Sequence, residues 1–240
     1  MTERERRPHA LALWVTVGLA VLAYIGLARL SSGPADFLTA RYTAALASGQ
    51  AFLPGANDPA VRAQLFDASL FDGRYYLYFG VVPFATVLVP VSCLTGYQVT
   101  DSQLIVGYAI ATVLCLGWLV GGLARAYATR TGPGMIALAA LVAAFCSGGL
   151  ILVRNPSIYE LVAAAAWFHG ILALCFAFAA LQARQHETLC LALSGLNAGL
   201  VVGCRPDQLG VAAAVFVFIL WRLRSQPDLW GDDAGACCWR

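Results

Sequence analysis

The sequence predicts an all-α fold: a polytopic transmembrane helical bundle with about six spans and with juxtamembrane helices in a long first outer loop. Composition is the first indication, because 60% of the 240 residues are hydrophobic, only 12% are charged and the mean hydropathy is +0.73. A soluble domain of this size needs more polar surface than that. The second indication is a series of apolar runs without any charged residue, several near the ~20 residues that cross a bilayer core. The third is the placement of the 15 basic residues, all of them arginine.

Hydropathy marks the apolar segments from which the spans are drawn. The first follows the basic stretch TERERRPHA, is longer than the apolar part of a signal peptide and lacks a nearby small-residue cleavage site. We therefore expect an uncleaved signal-anchor helix with a cytoplasmic N-terminus. The seven segments are 10–30, 76–97, 103–124, 132–153, 160–183, 188–204 and 207–222.

The arginines decide which of these segments cross the membrane. If all seven crossed, the short loops would carry five arginines on each side. If 76–97 stays on the outer side, every later loop changes side and the bias becomes eight inside against two outside, which agrees with the positive-inside rule. The inner eight are then Arg4, Arg6, Arg7, Arg125, Arg130, Arg184, Arg222 and Arg224, and the outer two are Arg154 and Arg205.

Segment 76–97 has further features of a helix that lies on or dips into the outer face. Pro83 and Pro90 each remove a helix hydrogen bond. Aromatic residues crowd its start, as in a membrane-interface belt. With six spans, residues 1–224 form one transmembrane domain, 31–102 is a single outer loop, and 225–240 is an irregular tail.

The outer loop contains a predicted amphipathic helix followed by a loop over 54–73. Ser32 and Pro34 are helix-start signals and Gly49 is a stop signal. An apolar face at helical spacing lies between them, which predicts a helix parallel to the membrane. Its members are Phe37, Leu38, Tyr42, Ala45 and Leu46.

Two acids at the membrane surface are candidate catalytic groups, because charges near lipid are costly. Asp36, just past the first span, reads either as a general base or as an acid that favours a helix N-terminus. Glu160, in RNPSIYE, reads either as a second acid in the same outer cleft or as a helix-start carboxylate paired with Arg154.

Arg74 and Arg205 are candidate phosphate ligands. Arg74 in DGRYYLYFG could bind phosphate bidentately or serve as an interfacial anchor, and Arg205 in CRPDQ carries the same two readings. The tyrosines beside these charged groups are expected to line the substrate: Tyr75, Tyr76, Tyr78 and Tyr159.

The remaining chemistry-bearing residues favour structural roles. His169 falls half a helical turn away from Glu160, so we expect a helix-packing hydrogen bond rather than a proton relay. The pairs Gly121–Gly122 and Gly148–Gly149 indicate close helix packing. The cysteines lie mostly in apolar runs without metal-ligand spacing, so no metal and no cofactor is expected. The scattered arginines do not suggest nucleic-acid binding.

Three stretches together resemble the GT-C class of polyprenyl-phosphate-dependent glycosyltransferases, nearest the protein mannosyltransferase and aminoarabinose transferase branch of family 39. The stretches are PADFLTARYTAALASGQ, FDGRYYLYFGVVPFATVLVPVSCLTG, and LARAYATRTG followed by an apolar span and RNPSIYE.

The resemblance covers roughly residues 8–224. It implies that Asp36 is the catalytic carboxylate, that Glu160 is the second acid, and that Arg74 contacts the lipid phosphate. The lysine-proline pair usual in the class is absent here. Members are usually longer, so the resemblance implies an N-terminal portion of such an enzyme, truncated or frameshifted near its last residues.

The expected function is transfer of a sugar from a polyprenyl-phosphate donor to a lipid, glycan or protein acceptor. It would take place at the outer face of a bacterial inner membrane, with the bilayer and the donor as partners. The alternative is a non-catalytic membrane protein such as a transporter fragment or an assembly subunit. Transporters place polar groups near mid-membrane, whereas here they gather at one face.

The topology can be tested by labelling. Single cysteines at Thr100 and Ala128, in a background without reactive cysteine, should give labelling at 100 and protection at 128 when an impermeant reagent is added from outside. We expect this pattern because only an outer segment 76–97 gives the excess of arginine in the inner loops. Labelling at 128 with protection at 100 would contradict the six-span topology.

Overall fold

The computed structural model describes residues 3–30, 37–53, 68–77, 80–128, 131–146, 148–182 and 186–225. Over these residues the chain is an all-α bundle with one small β-hairpin, which confirms the predicted fold class. The helices are α1 Glu3–Leu30, α2 Phe37–Ala47, α3 Phe84–Thr95, α4 Asp101–Tyr127, α5 Pro133–Phe145, α6 Gly149–Arg154, α7 Ile158–Gln182, α8 Glu187–Cys204 and α9 Leu209–Arg224. The strands are β1 Ala68–Phe71 and β2 Arg74–Leu77.

Five helices in the described ranges are long and apolar enough to cross a membrane: α1 from Pro8 onward, α4, α7, α8, and α9 together with the 3₁₀ turn before it. The predicted span 132–153 is not one continuous helix. It divides into α5 and α6, and Gly148 at the start of α6 has a left-handed backbone with φ of +82°. Hydropathy does not detect such a break, because the residues on both sides of it are apolar. Both pieces still pack along α1.

The glycines of α4 bring its neighbours close. A Cβ on Gly121 would lie 2.6 Å from Leu13 Cδ2 of α1, and one on Gly122 would lie 2.5 Å from Phe178 Cε1 of α7. Gly149 is equally tight, because its Cβ would stand 2.5 Å from Tyr24 Oη. Close packing is therefore confirmed at these three positions, whereas Gly148 serves the backbone break and has open space around it.

Buried hydrogen bonds join the helices between the two ends of the bundle. Tyr24 Oη donates to the carbonyl oxygen of Ala144 over 2.8 Å, and Ser194 Oγ donates to the carbonyl oxygen of Ala173 over 2.9 Å. His169 Nδ1 lies 2.9 Å from Asn197 Oδ1 on α8. The prediction of a packing role for His169 is thus confirmed.

The start of α4, the start of α7 and the end of α8 lie together, and we call this the Asp101 end of the bundle. Tyr108 near the start of α4 packs on Phe168 of α7 with ring centroids 5.5 Å apart. His169, the next residue of α7, bonds to the C-terminal half of α8. The opposite end, where α4 ends, is called the Arg125 end.

Segment 80–100 begins and ends at the Asp101 end, so it does not cross the bundle, as predicted. The Gly80 amide donates to the carbonyl oxygen of Cys204, the last residue of α8, over 2.9 Å. A Cβ on Gly80 would lie 1.9 Å from the Gly203 carbonyl oxygen, so only glycine fits. Between these ends α3 starts as a π-helical turn, Phe84–Leu88, and stops at Gly96.

The amphipathic helix is confirmed as α2. Leu38, Tyr42 and Ala45 are buried, and Gly49 adopts a positive φ of +79° just after the helix. The Tyr42 ring meets Phe84 of α3 edge-on at 5.1 Å. Burial raises the pKa of the Tyr42 phenol, so it is neutral. The start signals Ser32 and Pro34 lie outside the described residues.

The hairpin corrects the prediction of a loop over 54–73. Phe71 pairs with Arg74, and the two residues between them, Asp72 and Gly73, both have positive φ. Two such residues make the type I′ turn that matches strand twist, and Asp-Gly is its strongest sequence signal. Much of the predicted loop, 54–67, lies outside the described residues.

The glycine contacts predict a difference between two substitutions in α4. Gly122→Val should destabilise the bundle by about 1–3 kcal/mol, because the added atoms overlap the Phe178 ring. Gly107→Val is the matched control, since a Cβ there meets nothing within 4 Å. The measurement is unfolding of the purified protein in detergent. Equal losses for both variants would contradict the packing role of Gly122.

Candidate functional site

A cleft of about 430 Å³ opens at the Asp101 end, between α6, α7, α8 and α9. Its walls are apolar and include Leu152, Trp167 and Ile171. Two polar residues, Arg205 and Gln208, belong to the lining and come from the short connection between α8 and α9. The cleft therefore combines an apolar interior with one cationic group.

Arg205 is held by the next acid along the chain. Its Nε donates to Asp207 Oδ1 over 3.1 Å and its Nη2 donates to Asp207 Oδ2 over 3.0 Å. Both side chains are well exposed, 42% and 56%, so solvent screens the pair and it contributes little stability. The pair instead fixes the orientation of the Arg205 guanidinium. A guanidinium has five N–H donors, and three remain for an anion.

Glu160 lies in the first turn of α7. Its carboxylate accepts a hydrogen bond from Ser157 Oγ, which itself accepts one from the Tyr159 amide over 3.2 Å. The expected pairing with Arg154 is therefore replaced by a local serine contact. Ala163, one turn further along α7, lines the cleft. Residues three apart share a helix face, so Glu160 lies about one turn before the lining residue Ala163 on the same side of α7.

Arg74 lies on the hairpin rather than in the cleft. Its Cζ is 4.4 Å from the centre of the Phe52 ring, a cation–π contact. The flanks of the hairpin attach it to the Asp101 end through Leu53, which pairs with Tyr75, and through Gly80. Within the described ranges no hydrogen bond or ion pair joins Arg74 to Glu160 or Arg205.

The predicted substrate-lining tyrosines have different surroundings. Tyr75 is buried and exchanges backbone hydrogen bonds with Leu53, so it anchors the hairpin. Tyr76 is half-buried with its ring 6.0 Å from Phe52, and Tyr159 is exposed. Tyr78 and the predicted base Asp36 lie outside the described residues; Asp36 directly precedes α2.

One pair at this end was missed by sequence reasoning. Thr39 Oγ1 donates to Asp101 Oδ1 over 2.6 Å, and both residues are almost fully buried. The bond fixes the first turn of α2, three residues after Asp36, against the start of α4. The available signal was the capping box TDSQ, in which Thr100 and Gln103 bond reciprocally.

Among the described residues no group of three or more His, Cys, Asp or Glu is arranged to hold a metal ion. Comparison with protein-family models, with curated proteins and with solved structures found no match.

The buried Thr39–Asp101 bond should govern the stability of α2. Thr39→Val should speed amide exchange over α2 by roughly tenfold to a hundredfold, because bonds to charged groups contribute about 1.5–3 kcal/mol. Thr43→Val is the control, since the buried Thr43 hydroxyl has no hydrogen-bond partner in the described structure. Hydrogen-exchange mass spectrometry of α2 peptides measures both. Equal amide-exchange rates in Thr39→Val and Thr43→Val would argue against a stabilising role of the Thr39–Asp101 bond.

Proposed function

We propose that the chain is a membrane glycosyltransferase of GT-C type, or the N-terminal portion of one. It would transfer a sugar from a polyprenyl-phosphate donor to a lipid, glycan or protein acceptor at the outer face of a bacterial inner membrane. The observation that carries the proposal is the apolar cleft with Arg205 in its lining and Glu160 one turn before the lining residue Ala163. An apolar channel joined to a fixed cation matches a ligand with a long hydrocarbon tail and a phosphate head.

The cleft continues along much of the bundle, as a site for a hydrocarbon tail would. It shares Leu174 and Val211 with a second apolar groove of about 660 Å³ between α4, α7 and α9. Along α7 the combined lining runs from Ala163 to Leu181. At 1.5 Å per residue this is about 27 Å, close to the ~30 Å of a bilayer core.

The proposed chemistry assigns one role each to Asp36, Arg205, Arg74 and Glu160. An acceptor hydroxyl attacks the anomeric carbon while the bond from that carbon to the phosphate oxygen breaks, and the electron pair leaves with the phosphate. Asp36 takes the hydroxyl proton, and the configuration inverts. Arg205 stabilises the phosphate charge with its three free N–H groups, assisted by Arg74 from the hairpin. Glu160 serves as the second acid near the acceptor.

The alternative is a membrane protein without catalysis, and one observation favours it. Glu160 already has a complete local explanation as the acid in the first turn of α7, bonded to Ser157. On this alternative the apolar cleft holds ordinary lipid. The effects of substituting Asp36 and Arg205 on sugar transfer and on donor binding distinguish the two functions.

The decisive measurement is sugar transfer from a polyprenyl-phosphate donor in nanodiscs, with donor affinity measured separately. Asp36→Asn should lower turnover by about 10²–10⁴-fold and leave donor binding nearly unchanged, because a general base acts in the transition state. Wild-type turnover in this variant would remove Asp36 from the mechanism. Intact folding is verified first by exchange protection of α7.

Arg205→Gln should weaken donor binding roughly tenfold to a hundredfold, since it removes charge-assisted bonds to phosphate. Arg154→Gln is the matched control, because Arg154 is exposed at the same end and does not line the cleft. Equal affinities in the two variants would mean that the cleft is not the donor site. Absence of any transfer by the wild-type chain, with donor binding lost in Arg205→Gln alone, would indicate a donor-binding protein.

A further inference from the structure

We propose that the Arg125 end of the bundle carries a binding site for the headgroup of an anionic phospholipid, formed by Arg125 and His9 over a small apolar cavity. The site is independent of the cleft at the Asp101 end. It would tie one end of the bundle to negatively charged lipid in one leaflet.

The cavity has a volume of about 170 Å³ and lies between α1, α4 and α5. Small and apolar side chains form its walls, while His9 and Arg125 are its two basic members. The apolar wall residues are Ala10, Leu13, Gly121, Ala124, Ala128 and Ile136.

The Arg125 side chain folds back over this cavity. A Cβ on Gly121, one turn earlier in α4, would lie 3.5 Å from Arg125 Nη1. That distance is an ordinary van der Waals contact, which places the guanidinium directly over the Gly121 backbone, whereas the same Cβ would clash with Leu13 Cδ2 at 2.6 Å. Arg125 is exposed, and no ion pair of its own appears in the described part of the chain. Its charge is therefore available to a ligand.

The surrounding charges favour an anion. Arg222 at the same end is committed to Glu187, with Nε 2.5 Å from Oε1, while Arg224 is exposed. The sequence before Pro8 is itself basic, with Arg4, Arg6 and Arg7 against Glu3 and Glu5. Basic pockets between transmembrane helices are suited to lipid headgroups.

A lipid explains the apolar part of the cavity, which a free phosphate ion does not. The adjoining surface of α1 is apolar and exposed, with Leu11 67% and Trp14 46% accessible. An acyl chain would lie on this surface, its headgroup phosphate would meet Arg125, and its glycerol region would fill the cavity. Inorganic phosphate would contact Arg125 and leave the apolar part of the cavity unfilled.

The test is native mass spectrometry of the purified full chain during titration with phosphatidylglycerol, with phosphatidylcholine as the neutral comparison. We expect one tightly retained phosphatidylglycerol and none of the neutral lipid at the same concentration. Arg125→Gln should weaken retention about fivefold or more, because one arginine near an anionic surface contributes about 1 kcal/mol. Arg224→Gln, at an exposed arginine outside the cavity, should change it less than twofold.

A second variant tests the cavity without changing a charge. Ala10 is an exposed wall residue, so Ala10→Phe should block the cavity, keep the fold and weaken retention as Arg125→Gln does. Equal losses for Arg125→Gln and Arg224→Gln would overturn the site in favour of diffuse charge. Equal retention of phosphatidylglycerol and phosphatidylcholine would show that the cavity does not select an anionic headgroup. Full displacement of the lipid by inorganic phosphate would show a soluble-anion site instead.

Discussion

The helices of this bundle have to associate without a hydrophobic driving force, because lipid tails are as apolar as the side chains they contact. What remains is close packing and interhelical hydrogen bonding. Gly121 and Gly122 let α4 approach α1 and α7, and Gly149 lets α6 approach α1 and α7. Tyr24 and Ser194 then bond to carbonyl oxygens that the close approach brings within reach. These contacts fix the helices relative to one another, and the helices in turn position Glu160 and Arg205 at the end of the bundle.

Much of the bundle could be predicted because lipid imposes simple rules on sequence. Charge-free length located the spans, and arginine placement correctly kept 76–97 at one end. The buried face of α2 followed from helical spacing at Leu38, Tyr42 and Ala45. The break in the span 132–153 could not be predicted in this way, because it depends on the backbone angle of Gly148 rather than on polarity.

The hairpin and the Thr39–Asp101 bond were missed for different reasons. The hairpin had a local signal, Asp72–Gly73 between Phe71 and Arg74, which the helical reading of 76–97 obscured. The Thr39–Asp101 bond joins residues 62 positions apart, so spacing alone carries no information about it. At the candidate site, sequence identified Glu160 and Arg205 as candidates, and both lie at the Asp101 end. It could not tell that Arg205 is oriented by Asp207 or that Glu160 bonds to Ser157.

The contact between Gly80 and the end of α8 joins the segment before α3 to the backbone next to the cleft. The residue after Cys204 is Arg205, so the backbone that receives the Gly80 amide also carries the guanidinium at the cleft. A side chain larger than glycine at position 80 would push against the backbone of Gly203 and Cys204, immediately before Arg205. A single substitution on the segment before α3 would therefore disturb the end of α8 as well as the segment itself.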